Sequence, residues 1–186
     1  MPPELRTWRS VPGDALLARV GDAYLDAFSR PPYLEQEAAR QELFERLRRY
    51  EPRDGFRLVL AEEGGDVVGL ALAVVGHPGD WFRDRVAEQL EPAEIAAWLG
   101  DACLELVHLA VRPAREGRGI GGALHDAALA GAPADTAILT VHPEAERARR
   151  LYEQRGWQVL RDSVSIGASD GVALLAKPLP SAGTKS

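Results

Sequence analysis

The chain has 186 residues, 46% hydrophobic and 27% charged, with a net charge of -6, which suits one domain with a full core and argues against a nucleic-acid surface, since phosphate neutralisation needs a basic field. Cys103 is the only cysteine, which excludes an internal disulfide and a cysteine-based metal cluster. No apolar run approaches the ~20 residues of a membrane span and the first ten residues hold no leader-like apolar core, so a soluble, cytoplasmic protein is expected.

Leu5 to Val11 reads as a short strand closed by Pro12-Gly13. Asp14 is then expected to cap a helix whose apolar positions Leu16, Leu17, Val20, Tyr24 and Phe28 recur at helical spacing. A second helix is expected from Glu35 to Tyr50, with Ala38, Ala39, Leu43, Phe44 and Leu47 inward. Phe56 to Glu62 and Val67 to Val75 flank the turn residues Glu63-Gly64-Gly65-Asp66 and read as a hairpin. Gly69 inside its second strand marks a bulge or a close backbone approach.

Residues 76–101 read as a helical insertion, one helix over Trp81–Leu90 and a second over Ala93–Leu99. Its aromatic residues Trp81, Phe82 and Trp98 either pack the helices onto a sheet or offer flat apolar surface at a cleft, and packing is the favoured reading. Leu104–Val111 follows as a nearly unbroken apolar run, the pattern of a strand buried on both faces. Pro113 ends the ladder, and the segment Arg115 to Gly122 places four glycines directly before a helix running to about Ala130. Glycines there let backbone N–H groups turn inward, and the helix N-terminus adds unpaired donors and a positive dipole end, so an anionic phosphate or pyrophosphate is the expected guest.

Thr136–Val141 is the next strand, followed by a helix from Glu144 to Arg155 that stops at Gly156. A closing hairpin is expected from Trp157–Ile166 and Val172–Lys177 around residues 168–171, and 179–186 reads as a flexible tail. The spacing therefore describes a single domain over residues 1–178.

Gly117, Gly119 and Gly122 also satisfy the G-x-G-x-x-G dinucleotide fingerprint. That motif should sit directly on the end of its strand, with an acid closing the next strand. Residues 112–116 intervene here, and the nearest acid, Asp135, precedes the next strand instead.

Val111-Arg112-Pro113 with EGRGIGGAL resembles motif A of the GCN5-related N-acetyltransferase (GNAT) superfamily, the loop that holds the coenzyme A pyrophosphate. Ala148-Arg149-Arg150-Leu151-Tyr152-Glu153-Gln154-Arg155-Gly156-Trp157 is similar to the family's motif B, in the right order and at a suitable distance. The resemblance implies an α/β GNAT-like acyl-CoA N-acyltransferase fold, a mixed and mostly antiparallel sheet with splayed central strands and flanking helices. It implies acetyl-CoA as cosubstrate without a metal, and transfer of the acetyl group to a primary amine by direct attack in a ternary complex. Backbone groups of Leu109, Ala110 and Val111 would bond the pantetheine arm. The amides of Arg118, Gly119, Ile120, Gly121 and Gly122 would cradle the pyrophosphate, with Arg118 adding its side chain. Tyr152 matches the motif B tyrosine near the CoA sulfur and would protonate the departing thiolate.

Glu105 is the candidate general base, a carboxylate inside an apolar strand. His108 is its rival, and strand alternation sends the two to opposite faces. The family's usual Gln/Arg in motif A is Glu116 here, for which the neighbouring Arg115 could compensate; the asparagine common before motif B is Ala145. His77, His125 and His142 show no ligand-like spacing, and His142 reads as a loop histidine. The acceptor is expected to be a small-molecule or peptide amine, with no nucleic acid or membrane partner. Many relatives dimerise, so the resemblance admits a homodimer, although no pattern marks an interface. Basic residues are nearly all arginine, with Lys177 and Lys185 the only lysines, a usage of high-GC bacterial genomes. A non-catalytic acyl-CoA-binding sensor or regulatory module is the alternative from another class.

Overall fold

The computed structural model describes residues 2–167 and 169–180. The chain is an α/β protein whose elements run β1 (Glu4–Trp8), α1 (Asp14–Phe28), α2 (Ala38–Tyr50), β2 (Arg57–Glu63), β3 (Asp66–Gly76), α3 (Trp81–Ala87), α4 (Pro92–Trp98), β4 (Cys103–Val111), α5 (Ile120–Leu129), β5 (Thr136–Val141), α6 (Glu146–Gln154), β6 (Gln158–Ile166) and β7 (Ser169–Pro178). The strands follow the order β1-β2-β3-β4-β5-β7-β6. Two compact units can be distinguished: residues up to Val74 with Leu106–Ala130, and Val75–Glu105 with the chain from Gly131 onward.

In the first unit, β1 and β2 pair antiparallel from Glu4↔Glu62 to Trp8↔Leu58, and β2 pairs antiparallel with β3. The apolar faces of α1 and α2, led by Leu17, Val20, Leu43 and Leu47, pack with Leu58, Leu60, Leu70 and Leu72 in one core. Gly69 combines the two features expected of it. The β2–β3 register shifts between Ala61 and Glu62, opposite Gly69 and Val67. A Cβ on Gly69 would also stand 2.9 Å from the Ala110 carbonyl oxygen and from Leu124 Cδ1, so α5 and the β4 backbone approach β3 through a missing side chain.

Arg57 is the most heavily buried charge of this unit, with 1% exposure. Its Nη1 donates to the carbonyls of Ala128 and Ala130, at 3.0 and 2.6 Å, where α5 ends. A cation there satisfies carbonyls that have no helical partner and complements the negative end of the helix dipole. Burial, and secondarily Arg9, lower the Arg57 pKa.

In the second unit, β4 pairs parallel with β5 at Leu104↔Ala137 and Glu105↔Ile138, β5 pairs antiparallel with β7, and β7 with β6. The insertion folds onto these strands. Phe82 and Trp98 pack against a core of Val86, Leu99, Cys103, Ile138, Val164 and Leu174, which is the packing role the sequence favoured. Trp81 remains 58% exposed, yet its indole lies so close to Gly167 that a Cβ there would meet Trp81 Cη2 at 2.6 Å. Three polar contacts fasten the two short helices: Arg161 to Glu94 at 2.9 and 2.5 Å, Arg83 Nη2 to the Gly100 carbonyl at 2.8 Å, and Thr136 Oγ1 to the Trp98 carbonyl at 2.8 Å. Helices of this length are unstable alone, so their folding depends on such docking.

Several boundaries differ from the sequence expectation for local reasons. Gly13, not Asp14, occupies the α1 N-cap, and no side chain caps the helix. The second helix starts at Ala38 and not at Glu35, because the chain is still turning: Leu34 N–H bonds the Arg30 carbonyl, Glu35 N–H bonds the Phe28 carbonyl, and Leu34 has φ +55°. The first insertion helix ends at Ala87, where tighter turns from Gln89 to Val86 and Leu90 to Ala87 take over. The motif B helix starts at Glu146, since Ala145 N–H to His142 and Glu146 N–H to Glu144 form turns first. Of the expected tail, Leu179 is buried and its N–H bonds the Asp135 carbonyl at 2.7 Å, whereas residues 181–186 lie outside the described residues, as does Ala168 of the expected turn. No helix among the described residues is long and apolar enough to cross a membrane.

The Glu94–Arg161 pair makes stability depend on pH in a predictable direction. The Arg161 guanidinium, helped by the Glu91 backbone N–H, holds the Glu94 carboxyl at about 2, below its usual 4.5. A lowered folded pKa stabilises above pH 4.5, and the contribution is lost as pH falls from 4.5 toward 2. Glu94→Gln is expected to lower the melting temperature at pH 7 and to flatten its fall between those values. A variant whose melting temperature tracks the parent's from pH 7 to pH 3 would contradict this.

Candidate active site

The first unit carries the glycine loop and the N-terminus of α5. After β4 the chain makes one 3-10 turn, Pro113–Arg115, and reaches Gly119, which occupies the α5 N-cap with φ +78° and offers no side-chain cap. Only glycine adopts that backbone region without strain. The first bond of α5 runs from Ala123 N–H to the Gly119 carbonyl at 3.0 Å. The amides of Ile120, Gly121 and Gly122 thus precede any helical partner and lie at the positive dipole end. A Cβ at Gly117 or Gly119 would meet no atom within 4 Å, so the space before the loop is open. Backbone donors at a helix N-terminus of this kind suit an anion such as a diphosphate.

The loop is held by arginines that point elsewhere. Arg112 N–H donates to the Val68 carbonyl at 2.9 Å, its Nε to the Val67 carbonyl at 2.8 Å and its Nη1 to Asp26 at 3.4 Å. Arg115 Nε donates to Glu63 at 2.5 Å, a contact that lowers the Glu63 pKa. The role considered for Arg115, compensating for Glu116 at a pyrophosphate, therefore has a competitor: its guanidinium ties the loop to the β2–β3 hairpin. Arg118 is exposed beside Gly119, and its charge acts on Glu63 from a distance.

The two rival bases have different surroundings. His108, half-buried, stands edge-on to Tyr24 at 5.2 Å between ring centroids and 6.2 Å from Phe28. Arg46 Nη1 contacts His108 Nε2 at 2.8 Å. A guanidinium can only donate, so Nε2 accepts and the neutral ring carries its proton on Nδ1. Burial first, and the Arg46 charge second, push the His108 pKa down to about 3. An imidazole of that basicity, with Nε2 engaged, is a poor proton acceptor at neutral pH. Around it, Phe28 meets Tyr24 at 4.7 Å and Tyr33 at 4.9 Å. Burial, with Glu35 second, raises the Tyr24 phenol to about 12, so it stays protonated.

Glu105 belongs to the second unit and is 1% exposed. Its side chain lies over Gly76, where an added Cβ would be 2.3 Å from Oε1, 3.0 Å from Cδ and 3.2 Å from Cγ. Tyr152 of α6 is buried at 7% exposure, its ring 5.8 Å from Trp157 and tilted by 63°. His142 Nδ1 accepts from Glu144 N–H at 3.2 Å, in keeping with a loop histidine. Among the described residues, no group of three or more His, Cys, Asp or Glu is placed to hold a metal ion.

The sequence analysis did not single out Arg46 or Gly76. Arg46 had no signal beyond its place on a charged helix face. Gly76 had one, a glycine at the end of a β-rich strand where the insertion begins.

Comparison with known proteins agrees with this architecture. The model of the acetyltransferase (GNAT) family matches residues 18–157. The chain is 32% identical over 122 residues to the GCN5-like protein acetyltransferase Rv2170 of Mycobacterium tuberculosis, an alignment covering 61% of this chain and 59% of that relative. The crystal structure of PH1933 from Pyrococcus horikoshii OT3 superposes with a TM-score of 0.66 at 21% identity, covering 95% of this chain and 99% of the other. That of histone acetyltransferase HPA2 and related acetyltransferase from Corynebacterium glutamicum gives 0.65 at 19% identity, covering 99% and 100%.

The state of His108 yields a direct test. Because its folded pKa lies below the unfolded 6.5, this group stabilises the fold above pH 6.5, and the contribution is lost as pH falls from 6.5 toward 3. The His108 ring resonance in NMR is expected to stay flat from pH 8 to pH 5. Arg46→Met should raise its midpoint while leaving it below 6.5, since burial is the larger cause. A parent midpoint near 6.5 would contradict the assignment.

Proposed function

The chain belongs to the acetyltransferase (GNAT) family, and from that premise we propose that it is an N-acetyltransferase that carries the acetyl group of acetyl-CoA to a primary amine by direct attack. The observation that carries this reading is the uncapped N-terminus of α5 behind Gly119. Its amides at Arg118, Gly119, Ile120, Gly121 and Gly122 bind the CoA diphosphate, and the backbone of Leu109, Ala110 and Val111 bonds the pantetheine arm. The parallel β4–β5 ladder has pairs at Leu104 and Glu105, and residues 109–111 lie farther along β4.

Acetyl-CoA supplies an activated acyl group on sulfur. The neutral amine attacks the thioester carbon with its own lone pair, and Glu105 takes, directly or through one water, the proton that the nitrogen must lose as the new bond forms. As the new C–N bond forms the C–S bond breaks, and Tyr152 returns a proton to the thiolate. His108 is left out of this scheme, because a ring with a pKa of about 3 that accepts from Arg46 has little capacity for the proton. The similarity to Rv2170, whose name describes a protein acetyltransferase, supports testing peptide amines beside small ones.

Turnover should be measured as thiol release from acetyl-CoA, against a panel of peptides with free α-amines, lysine peptides, polyamines and amino acids. Glu105→Gln is expected to lower kcat by ~10²- to 10⁴-fold, the usual range for a general base, and Tyr152→Phe to lower it by at least about tenfold. Both variants should keep CoA affinity within about twofold of the parent. A parent that binds CoA yet acetylates nothing in the panel would contradict an enzymatic role and favour a CoA-binding module.

A further inference from the structure

Gly76 ends β3 and Glu105 lies in the first half of β4. The Glu105 carboxylate occupies the volume in which any other residue at position 76 would place its Cβ. That Cβ would stand 2.3 Å from Oε1, far inside contact distance, and the overlap continues inward to Cδ at 3.0 Å and Cγ at 3.2 Å. Turning the carboxylate about its last bond relieves only the first of these contacts. Clearing all three requires rotation nearer the backbone, and this moves the whole acid group. The surroundings leave little room for that movement, since Glu105 is 1% exposed and Val75, Cys103 and Leu104 are all buried. A glycine here also serves no turn, because Gly76 is not among the positive-φ residues. Its conformation is open to alanine, so backbone freedom does not account for it; the space above it does.

We propose that Gly76 is a positioning residue for the reaction: the missing side chain is the slot that fixes the Glu105 carboxylate in its working orientation. The inference rests on the reading of Glu105 as general base. Proton transfer needs the acid within about 2.6 to 3.2 Å of its target or of one bridging water, and a misplacement of about 1 Å costs on the order of a hundredfold. The slot sets the direction in which the carboxylate lies along β3. Gly76 touches neither substrate and acts only through Glu105.

The test is a double-mutant cycle with acetyl-CoA and the amine of highest kcat/KM in the panel. Gly76→Ala is expected to lower kcat about ten- to a hundredfold while the KM for acetyl-CoA stays within about twofold. In the Glu105→Gln background the same substitution should change kcat by less than about twofold, because there is no base left to misplace. A purely structural role for Gly76 would lower activity in both backgrounds alike and would overturn the proposal. If Gly76→Ala keeps full kcat while Glu105→Gln loses it, the proposal also fails and the base assignment stands. If Glu105→Gln keeps full kcat, the base assignment itself is refuted, and the proposal with it. Should Gly76→Ala not fold, the comparison moves to a Glu105→Asp background, where the acid is one methylene shorter and withdraws from the added Cβ. Gly76→Ala should fold there and change kcat by less than about twofold; a tenfold further loss would overturn the proposal.

Discussion

The constraint on which the first unit turns is an α-helix that begins with nothing to cap it. A helix N-terminus ordinarily finds a Ser, Thr, Asp or Asn oxygen for its free amides. α5 begins instead at a left-handed glycine whose side-chain position faces open space. No bond within the helix takes its first amides, and donors of that kind suit an anion in the place of a cap. The opposite end of the same helix is treated in the reverse way. Its last carbonyls receive the buried Arg57 guanidinium, so a side chain of the protein serves that end.

The loop that leads into α5 owes its shape to side chains that bond the neighbouring strands. Arg112 ties the exit of β4 to the β3 carbonyls of Val67 and Val68, and Arg115 ties the 3-10 turn to Glu63. Each removes freedom from a segment rich in glycine, which would otherwise lose much entropy on binding. The second unit uses the same device for its insertion. A fork of Arg161 on Glu94 and a capping box at Glu91 hold α4 in place, and aromatic packing by Phe82 and Trp98 completes the docking.

Much of this was legible in the sequence, for physical reasons. The β4 run and the α1 stripe were readable because burial imposes a period on apolar residues, and Thr136–Val141 was found with its ends correct. The start of α5 after its glycine loop was readable because a dense run of glycines interrupts the apolar pattern just before a helical one resumes. Helix starts were less legible: the helices were expected to begin at Glu144 and Glu35, but local turns consumed the residues up to Glu146 and Ala38. Roles set by contact across the fold had no local signature. Nothing near Arg115 in sequence announces Glu63, nothing near His108 announces Arg46, and the pairing of Gly76 with Glu105 joins residues at opposite ends of the insertion. Spacing alone could not choose between Glu105 and His108; the surroundings of each show a weakly basic imidazole bonded by Arg46 and a carboxylate over Gly76.

The central claim is that the amides behind Gly119 hold a diphosphate. Isothermal calorimetry of CoA against the parent protein and Gly119→Glu tests it most directly, since the substitution strains a left-handed backbone and puts a carboxylate into the cup. Saturable binding by the parent, weakened at least about tenfold (~1.4 kcal/mol) in a variant that keeps its circular dichroism spectrum, is the predicted result. A parent that fails to bind CoA, or a folded Gly119→Glu that binds it equally well, would contradict the account.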